Sequence, residues 1–444
     1  MSVGRTQRAQ SAISWLWRGV GLLVLGLALG SFFGAERGSA DGPREDAASA
    51  QARASDAPRR AQARRASLLE GFDPRFHVQD GDRRVSELEN GRRAVLTLDP
   101  GLQEHVERVF GRYEVPYGSV VAIEPSTGRV LAYVSHSSAD PAAPDLCLDP
   151  SAPTASVFKV VTGSALVDAG IGPDTRTCYT GGGSRLTAWH LEDHADEARC
   201  LTLTEAMGRS ANAVFAKLSD RHLDGPTLAR FASAFGFGHA LPFDVPTQPS
   251  PMEVPDDRLE RARTAAGFWH MHLSPLHGAA VAATIANDGR MMRPAIVERL
   301  ENTEGRVLMQ HEPEVFRAVV SRRTARSVGE MMRHTVSRGT ARSTFFDDHG
   351  NAFLPDIEVA GKTGTLSAER PYRGYTWFVG FAPADDPQIA VASLIINTPR
   401  WRIKAAYAAR EALRYYLVEA PRERAEAEAE AAAAAAEASA ETAE

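Results

Sequence analysis

Residues 19 to 35, "GVGLLVLGLALGSFFGA", carry no charge, and no other stretch so narrows what the chain can become. Counted from Ala12 to Ala35, the stretch spans about 36 Å as a helix, enough for a bilayer core. Trp15 and Trp17 suit a membrane interface. Arg5, Arg8 and Arg18 precede the run with no acidic residue among them, which favours an N-terminus on the cytoplasmic side; Arg37 and Arg44 beyond it weaken that bias. Two readings stay open: an uncleaved signal anchor over 12–35 behind a cytoplasmic tail of 1–11, or a signal peptide cut after Gly30 or Ala40. Both place the rest of the chain outside the cytoplasm.

Residues 36–66 are mostly Ala, Arg, Ser and Asp, with little to bury, and read as a disordered linker. Residues 419–444 are an Ala/Glu-rich low-complexity tail without a face to bury. Between them, 67–94 reads as a short N-terminal segment and 95–418 as the folded body. A net charge of −6 and the lack of any basic, aromatic-interleaved stripe exclude general nucleic-acid binding.

The body opens on "AVLTLDPGLQEHVERVFGRY", a short strand and then a helix from about Pro100. "SVVAIEPSTGRVLAYVS" reads as a hairpin, and "YTWFVGFAP" with "QIAVASLIIN" as another. "AAYAAREALRYYLV" is a closing amphipathic helix. The expected fold is α/β of the α+β kind, with a central antiparallel sheet of about five strands built from both chain ends, flanked by helices. An all-helical insert is expected between the strand groups.

Of the 50 Lys and Arg residues only four are lysine: Lys159, Lys217, Lys362 and Lys404. Lys159 stands in "SVFK", three residues after Ser156, so a helix stacks the two on one face. A serine hydroxyl needs a neighbour to take its proton, and a desolvated lysine can do so where arginine cannot. Neutrality near pH 7 requires roughly 4 kcal/mol of differential stabilisation. Ser156 at a helix start also brings backbone N–H groups to any oxyanion. Lys362 lies in "GKTGT", where a strand puts Lys362 and Gly364 on one side and Thr363 and Thr365 on the other. That arrangement suits an edge pairing with an extended substrate whose carboxylate meets Lys362 and the threonines. The Lys362 charge also depresses the pKa of Lys159. Between the two lies "RSANAVFAKL". There Ser210 can relay a proton and Asn212 can hold a substrate amide, although in isolation both read as helix-cap residues.

Ser-x-x-Lys, Ser-x-Asn and Lys-Thr-Gly, in that order, are a motif set of penicillin-binding proteins and β-lactamases. The chain resembles the transpeptidase domain of a penicillin-binding protein over about residues 95–418. "LTLDPGLQ", "SPLHGAAVAATIANDGRMMRP", "SRGTAR" and "WFVGFAPADDPQIAVASLI" resemble that family's connecting segments. The resemblance implies Ser156 as acylated nucleophile, Lys159 as its base, and Ser210 and Asn212 as the second motif. Lys362, Thr363, Gly364 and Thr365 would bind the terminal carboxylate, with the N–H groups of Ser156 and Thr365 as oxyanion hole. The implied substrates are peptidoglycan stem peptides ending in D-Ala-D-Ala, and β-lactam antibiotics would acylate the same serine. Neither a metal nor an organic cofactor is implied. The implied location is a bacterial inner membrane, crossed once, with catalysis on the periplasmic side and a glycosyltransferase or other cell-wall protein as partner.

The sequence departs from the pattern at Ala155, where relatives often carry Gly, and in residues 67–95, too short for the usual pedestal. Rival readings are a D,D-carboxypeptidase, a β-lactamase or β-lactam sensor, and an inactive wall-binding scaffold. Against the β-lactamase, no Glu-x-x-Leu-Asn follows Asn212, and "SAN" is not Ser-x-Val. Cys178 and Cys200 flank a polar loop and can form a disulfide in an oxidising compartment, with Cys147 left over. His190, His194 and Cys200, and also His270, His272 and His277, offer ligand types, but solvated loops explain them better than a metal does.

Overall fold

The computed structural model describes residues 61–183 and 185–441. The apolar run over 12–35 and the linker over 36–60 lie outside them. No helix among the described residues is long and apolar enough to cross a membrane. Residues 61–66, read from composition as the end of the disordered linker, are instead helical, in α1 (61–68). Alanine and arginine favour helix, and two side chains tie α1 down. Arg65 Nε donates to Asp244 at 2.6 Å and Gln62 Nε2 donates to the Phe243 carbonyl at 2.9 Å.

Three strands follow, β1 (Val78–Asp80), β2 (Arg83–Glu87) and β3 (Arg93–Leu96). Then comes α2 (Pro100–Arg112), capped by Asp99, whose carboxylate accepts the Leu102 N–H, with proline at the first helical position where its missing donor costs nothing. The first hairpin is β4 (Tyr117–Ile123) and β5 (Val130–His136). Next come α3 (Lys159–Asp168), β6 (Arg176–Tyr179), β7 (Arg199–Thr202), α4 (Leu203–Arg209), α5 (Asn212–His222), α6 (Gly225–Ala234), α7 (Arg258–Ala265) and α8 (Pro275–Ala286). After them lie β8 (Arg290–Met292), β9 (Val297–Glu301), β10 (Val307–Gln310), β11 (Val315–Ala318), α9 (Arg322–Ser337) and the single turn α10 (Arg342–Phe345). The chain closes with β12 (Ala360–Glu369), β13 (Tyr372–Ala382), β14 (Ile389–Asn397), α11 (Ala405–Arg414) and α12 (Ala420–Glu441).

The central sheet is antiparallel in the order β12-β13-β14-β4-β5, five strands drawn from both chain ends. α8 covers one face, and α2 with α11 the other. Cover on both faces explains why β14 is apolar almost throughout rather than alternating. α8 is buried on all sides from Pro275 to Ile285, which fits its nearly unbroken apolar sequence.

Two expectations need correction. The stretch between β5 and β12 is not all-helical, since it carries the six short strands β6 to β11. Each is three to five residues long, too short for an alternating pattern to show. Nor does residue 95 part the body from its N-terminal segment. β3 spans that position and pairs with β9, joining a second five-stranded sheet in the order β1-β2-β3-β9-β10. The Ala/Glu tail is helical as far as Glu441, with residues 421–432 exposed.

Candidate active site

The chain reaches Ser156 through a 3-10 turn, Ala155–Phe158, which runs straight into α3 at Lys159. That continuity puts Lys159 Nζ 2.8 Å from Ser156 Oγ. Lys159 is fully buried, and its nitrogen has two other partners: Asn212 Oδ1 at 2.6 Å and the Ala266 carbonyl at 2.5 Å. Burial pushes its pKa well below the ordinary lysine value, and the nearby Lys362 charge pushes the same way. A neutral amine has two N–H groups and one lone pair. With the N–H groups given to Asn212 and Ala266, the lone pair is left facing the Ser156 hydroxyl, which is the geometry a general base requires.

Lys362 is also fully buried, in edge strand β12, and burial brings it down to about 7. Its ammonium donates to Ser210 Oγ at 2.9 Å and to the Thr363 carbonyl at 2.8 Å. Ser210 closes α4 in a left-handed conformation (φ 56°), and Asn212 opens α5 two residues later. Both are therefore helix-end residues, yet each is bonded to a buried lysine. The Asn212 side chain is held at its other end too, since Nδ2 donates to the Gly183 carbonyl.

β12 alternates about the cleft. A Cβ on Gly364 would lie 3.0 Å from Ala155 Cβ and 3.2 Å from the Thr154 carbonyl, so glycine is what lets the Ser156 turn approach the strand. Thr363 faces the other way, its hydroxyl 2.5 Å from that of Thr340, and Thr365 is exposed. Ser156, Ser210, Asn212, Thr363, Gly364 and Thr365 share one cleft of about 340 Å³, and the two lysines meet it through Ser156 and Ser210.

Cys178 and Cys200 are joined by a disulfide across β6 and β7, where they lie directly opposite each other, and Cys147 is a buried free thiol. Cys200 is thereby unavailable to any ligand set with His190 and His194. His190 bonds the Thr187 hydroxyl, and the His194 ring stacks on Trp189. His277 is buried between Ser250 Oγ and the Phe235 carbonyl and is held neutral, its pKa lowered to about 4 by burial.

Sequence reasoning missed the carbonyls of Ala266 and Gly183 and the hydroxyl of Thr340. A carbonyl carries no residue-type signal, so only Thr340, in "SRGTAR", was open to discovery. Gly267 shows why the Ala266 carbonyl can come so close. It holds φ 85°, and a Cβ there would sit 2.3 Å from the Ala155 carbonyl.

Residues 118–414 match the penicillin binding protein transpeptidase domain. The chain is similar to the peptidoglycan D,D-transpeptidase PbpA of Mycolicibacterium smegmatis, at 31% identity over 317 residues, 63% of this chain and 61% of that one. The match thus spans less than two thirds of that relative. Similarity to PbpA of Mycobacterium tuberculosis is 28% over 377 residues, covering 74% of this chain and 72% of the other. Among solved structures, the D,D-transpeptidase domain of a peptidoglycan glycosyltransferase from Eggerthella lenta superposes with a TM-score of 0.63 at 25% identity, covering 79% of this chain and 90% of that one. The imipenem acyl-enzyme complex of penicillin-binding protein A from M. tuberculosis gives 0.59 at 26% identity, covering 72% and 79%.

Proposed function

The chain belongs to the penicillin-binding protein transpeptidase family, and from that premise we propose that it is a peptidoglycan D,D-transpeptidase working through an acyl-enzyme on Ser156. One observation carries the reading: a fully buried lysine, depressed in pKa, whose nitrogen lies 2.8 Å from the serine hydroxyl.

Lys159 takes the Ser156 proton as Oγ attacks the penultimate D-Ala carbonyl of a stem peptide. The N–H groups of Ser156 and Thr365 receive the oxyanion. Lys362, Thr363 and Thr365 hold the terminal carboxylate, and a proton passes through Ser210 to the departing D-Ala amine. An amine of a neighbouring stem then takes the acyl group, forming the cross-link. β-Lactams stop at the first half, as imipenem does in its acyl-enzyme complex with penicillin-binding protein A of M. tuberculosis. The segment over 12–35, uncharged from Gly19 onward, anchors the enzyme, with the catalytic body on the outer side of a bacterial inner membrane and a cell-wall polymerase as partner.

The test is a fluorescent penicillin with intact-mass analysis. Wild type gains one stable adduct and Ser156→Ala gains none. A folded wild type that stays unlabelled at high probe concentration sinks the acyl-enzyme reading, and rapid turnover of the adduct transfers the protein to the β-lactamases.

A further inference from the structure

Three of the four lysines are buried and bonded. Lys159 and Lys362 serve the site, while Lys217 meets the Cys178 carbonyl, Asp193 and Glu197. Lys404 differs from them. It is exposed, it forms no ion pair among the described residues, and it lines the cleft that holds Ser156. Its ammonium lies 5.9 Å from the centre of the Trp401 ring, and Tyr372 fixes that ring by accepting the indole N–H at 2.7 Å. No acidic side chain lines the cleft.

The place of Lys404 in the cleft follows from register. Thr365 pairs with Thr376, whose Oγ1 accepts the Ala405 N–H at 3.1 Å. Arg410 of α11 donates to the Thr344 carbonyl at 3.0 Å. The start of α11 and the turn α10 therefore wall the cleft on the Thr363–Thr365 face of β12, whereas Ser156 lies on the Gly364 face.

We propose that Lys404, with the hydroxyls of Ser343 and Thr344, forms a subsite for a second, distal carboxylate on the acceptor, so that the enzyme favours an attacking amine carried by an amino dicarboxylic acid. The proposal rests on the transpeptidase reading above. Departure of D-Ala and arrival of the acceptor are the same bond change in opposite directions. The acceptor amine therefore enters where the D-Ala amine left, and its α-carboxylate takes the place at Thr363 and Thr365. A distal anion then extends along the same face to Lys404. In the transfer, the amine nitrogen bonds to the acyl carbon and the carbon–Oγ bond to Ser156 breaks, while the amine proton leaves through Ser210, the reverse of its route to D-Ala, and Lys159 returns to Oγ the proton it took. Lys404 touches only the acceptor, so its effect is on selectivity. The plainer alternative is a solvated cation with no ligand.

The experiment uses the full chain in detergent with a small N-acyl-D-alanyl thioester as donor. The acceptors are D-aspartate, D-glutamate and D-2-aminoadipate, each compared with its side-chain carboxamide. The wild type should transfer to at least one carboxylate roughly fivefold faster than to its carboxamide, the advantage of one charge-assisted pair at a cleft rim. Lys404→Gln should bring that ratio close to one, and Lys404→Arg should retain it. No preference at any chain length, a preference that survives in Lys404→Gln, or no transfer to any acceptor would each overturn the subsite. The penicillin adduct is followed in parallel. If the wild type forms none, the acyl-enzyme reading itself has failed; if the adduct forms while the preference is absent, only the subsite has failed.

Discussion

Two residues of the site hold backbone angles that L side chains rarely adopt. Ala155 has φ 49° and Ser210 has φ 56°, at a cost of about 1–2 kcal/mol each. Neither can relax freely. Ala155 is pinned between Gly364 and the Gly267 turn, and Ser210 is held by Lys362. Strain kept at a site by its surroundings is a mark of function. The two buried lysines set opposite demands on pH. In the proposed mechanism Lys159 works as a base only when neutral, so kcat/KM is expected to fall as pH drops through its depressed pKa. In the same mechanism Lys362 attracts a carboxylate only when charged, so kcat/KM for a carboxylate-bearing donor is expected to fall again as pH rises through about 7. Arginine stays charged throughout. Lys362→Arg is therefore expected to remove the alkaline limb of the pH–rate profile while lowering its plateau, because arginine cannot pass a proton to Ser210. An alkaline limb left in place by that substitution assigns it to another group.

At the scale of elements, the second motif is held from outside its own helix. The loop between β6 and β7 is closed by Cys178–Cys200, with 22 residues of sequence separation. Lys217, on the same helix as Asn212, reaches under the loop to Asp193 and Glu197, and Arg263 donates to the Leu186 carbonyl. A compact ammonium satisfies three acceptors in a fully buried space, where a guanidinium is too wide, so the chain writes lysine there as well. The loop's Gly183 carbonyl then fixes the Asn212 amide, and Asn212 fixes Lys159. Replacing both cysteines by serine should lower stability by about 3 kcal/mol, the chain-entropy value for such a loop. It should also slow penicillin acylation several-fold, as Asn212 loses its outer support. Thermal unfolding and the labelling rate check the two effects separately, and a labelling rate unchanged in the folded variant would show that the loop does not position Asn212.

Across the whole molecule, what the sequence made legible was what is carried by side-chain type or by long apolar runs. The scarcity of lysine exposed Lys159 and Lys362, and β13 and β14 are long enough to be read directly. What escaped depends on distant partners. β3 pairs with β9 some two hundred residues later, so sequence alone reads a short N-terminal segment where the structure has three of the five strands of a sheet. Asp244, the residue that locks this second sheet in place, had no signal of its own. Its buried carboxylate accepts the Ile296 N–H at 2.7 Å and the Val297 N–H at 2.8 Å at the start of β9, together with Arg65 from α1 and the largely buried Arg293. Four donors converge on one carboxylate, so removing it strands two backbone amides and a buried guanidinium at once. Asp244→Ala should cost about 3–5 kcal/mol, the range for breaking a buried ion pair from one side, and should free α1 from its anchor. Denaturant unfolding checks the first effect. Limited trypsin digestion checks the second, by faster cleavage at Arg64 and Arg65 than elsewhere in the body. Asp244→Asn, which keeps an acceptor for the amides but not the charge, should fall between the two. If it proves as damaging as alanine, the ion pairs dominate; if it matches wild type, the backbone amides are what this carboxylate chiefly serves, and α1 is held by Gln62 rather than by Arg65.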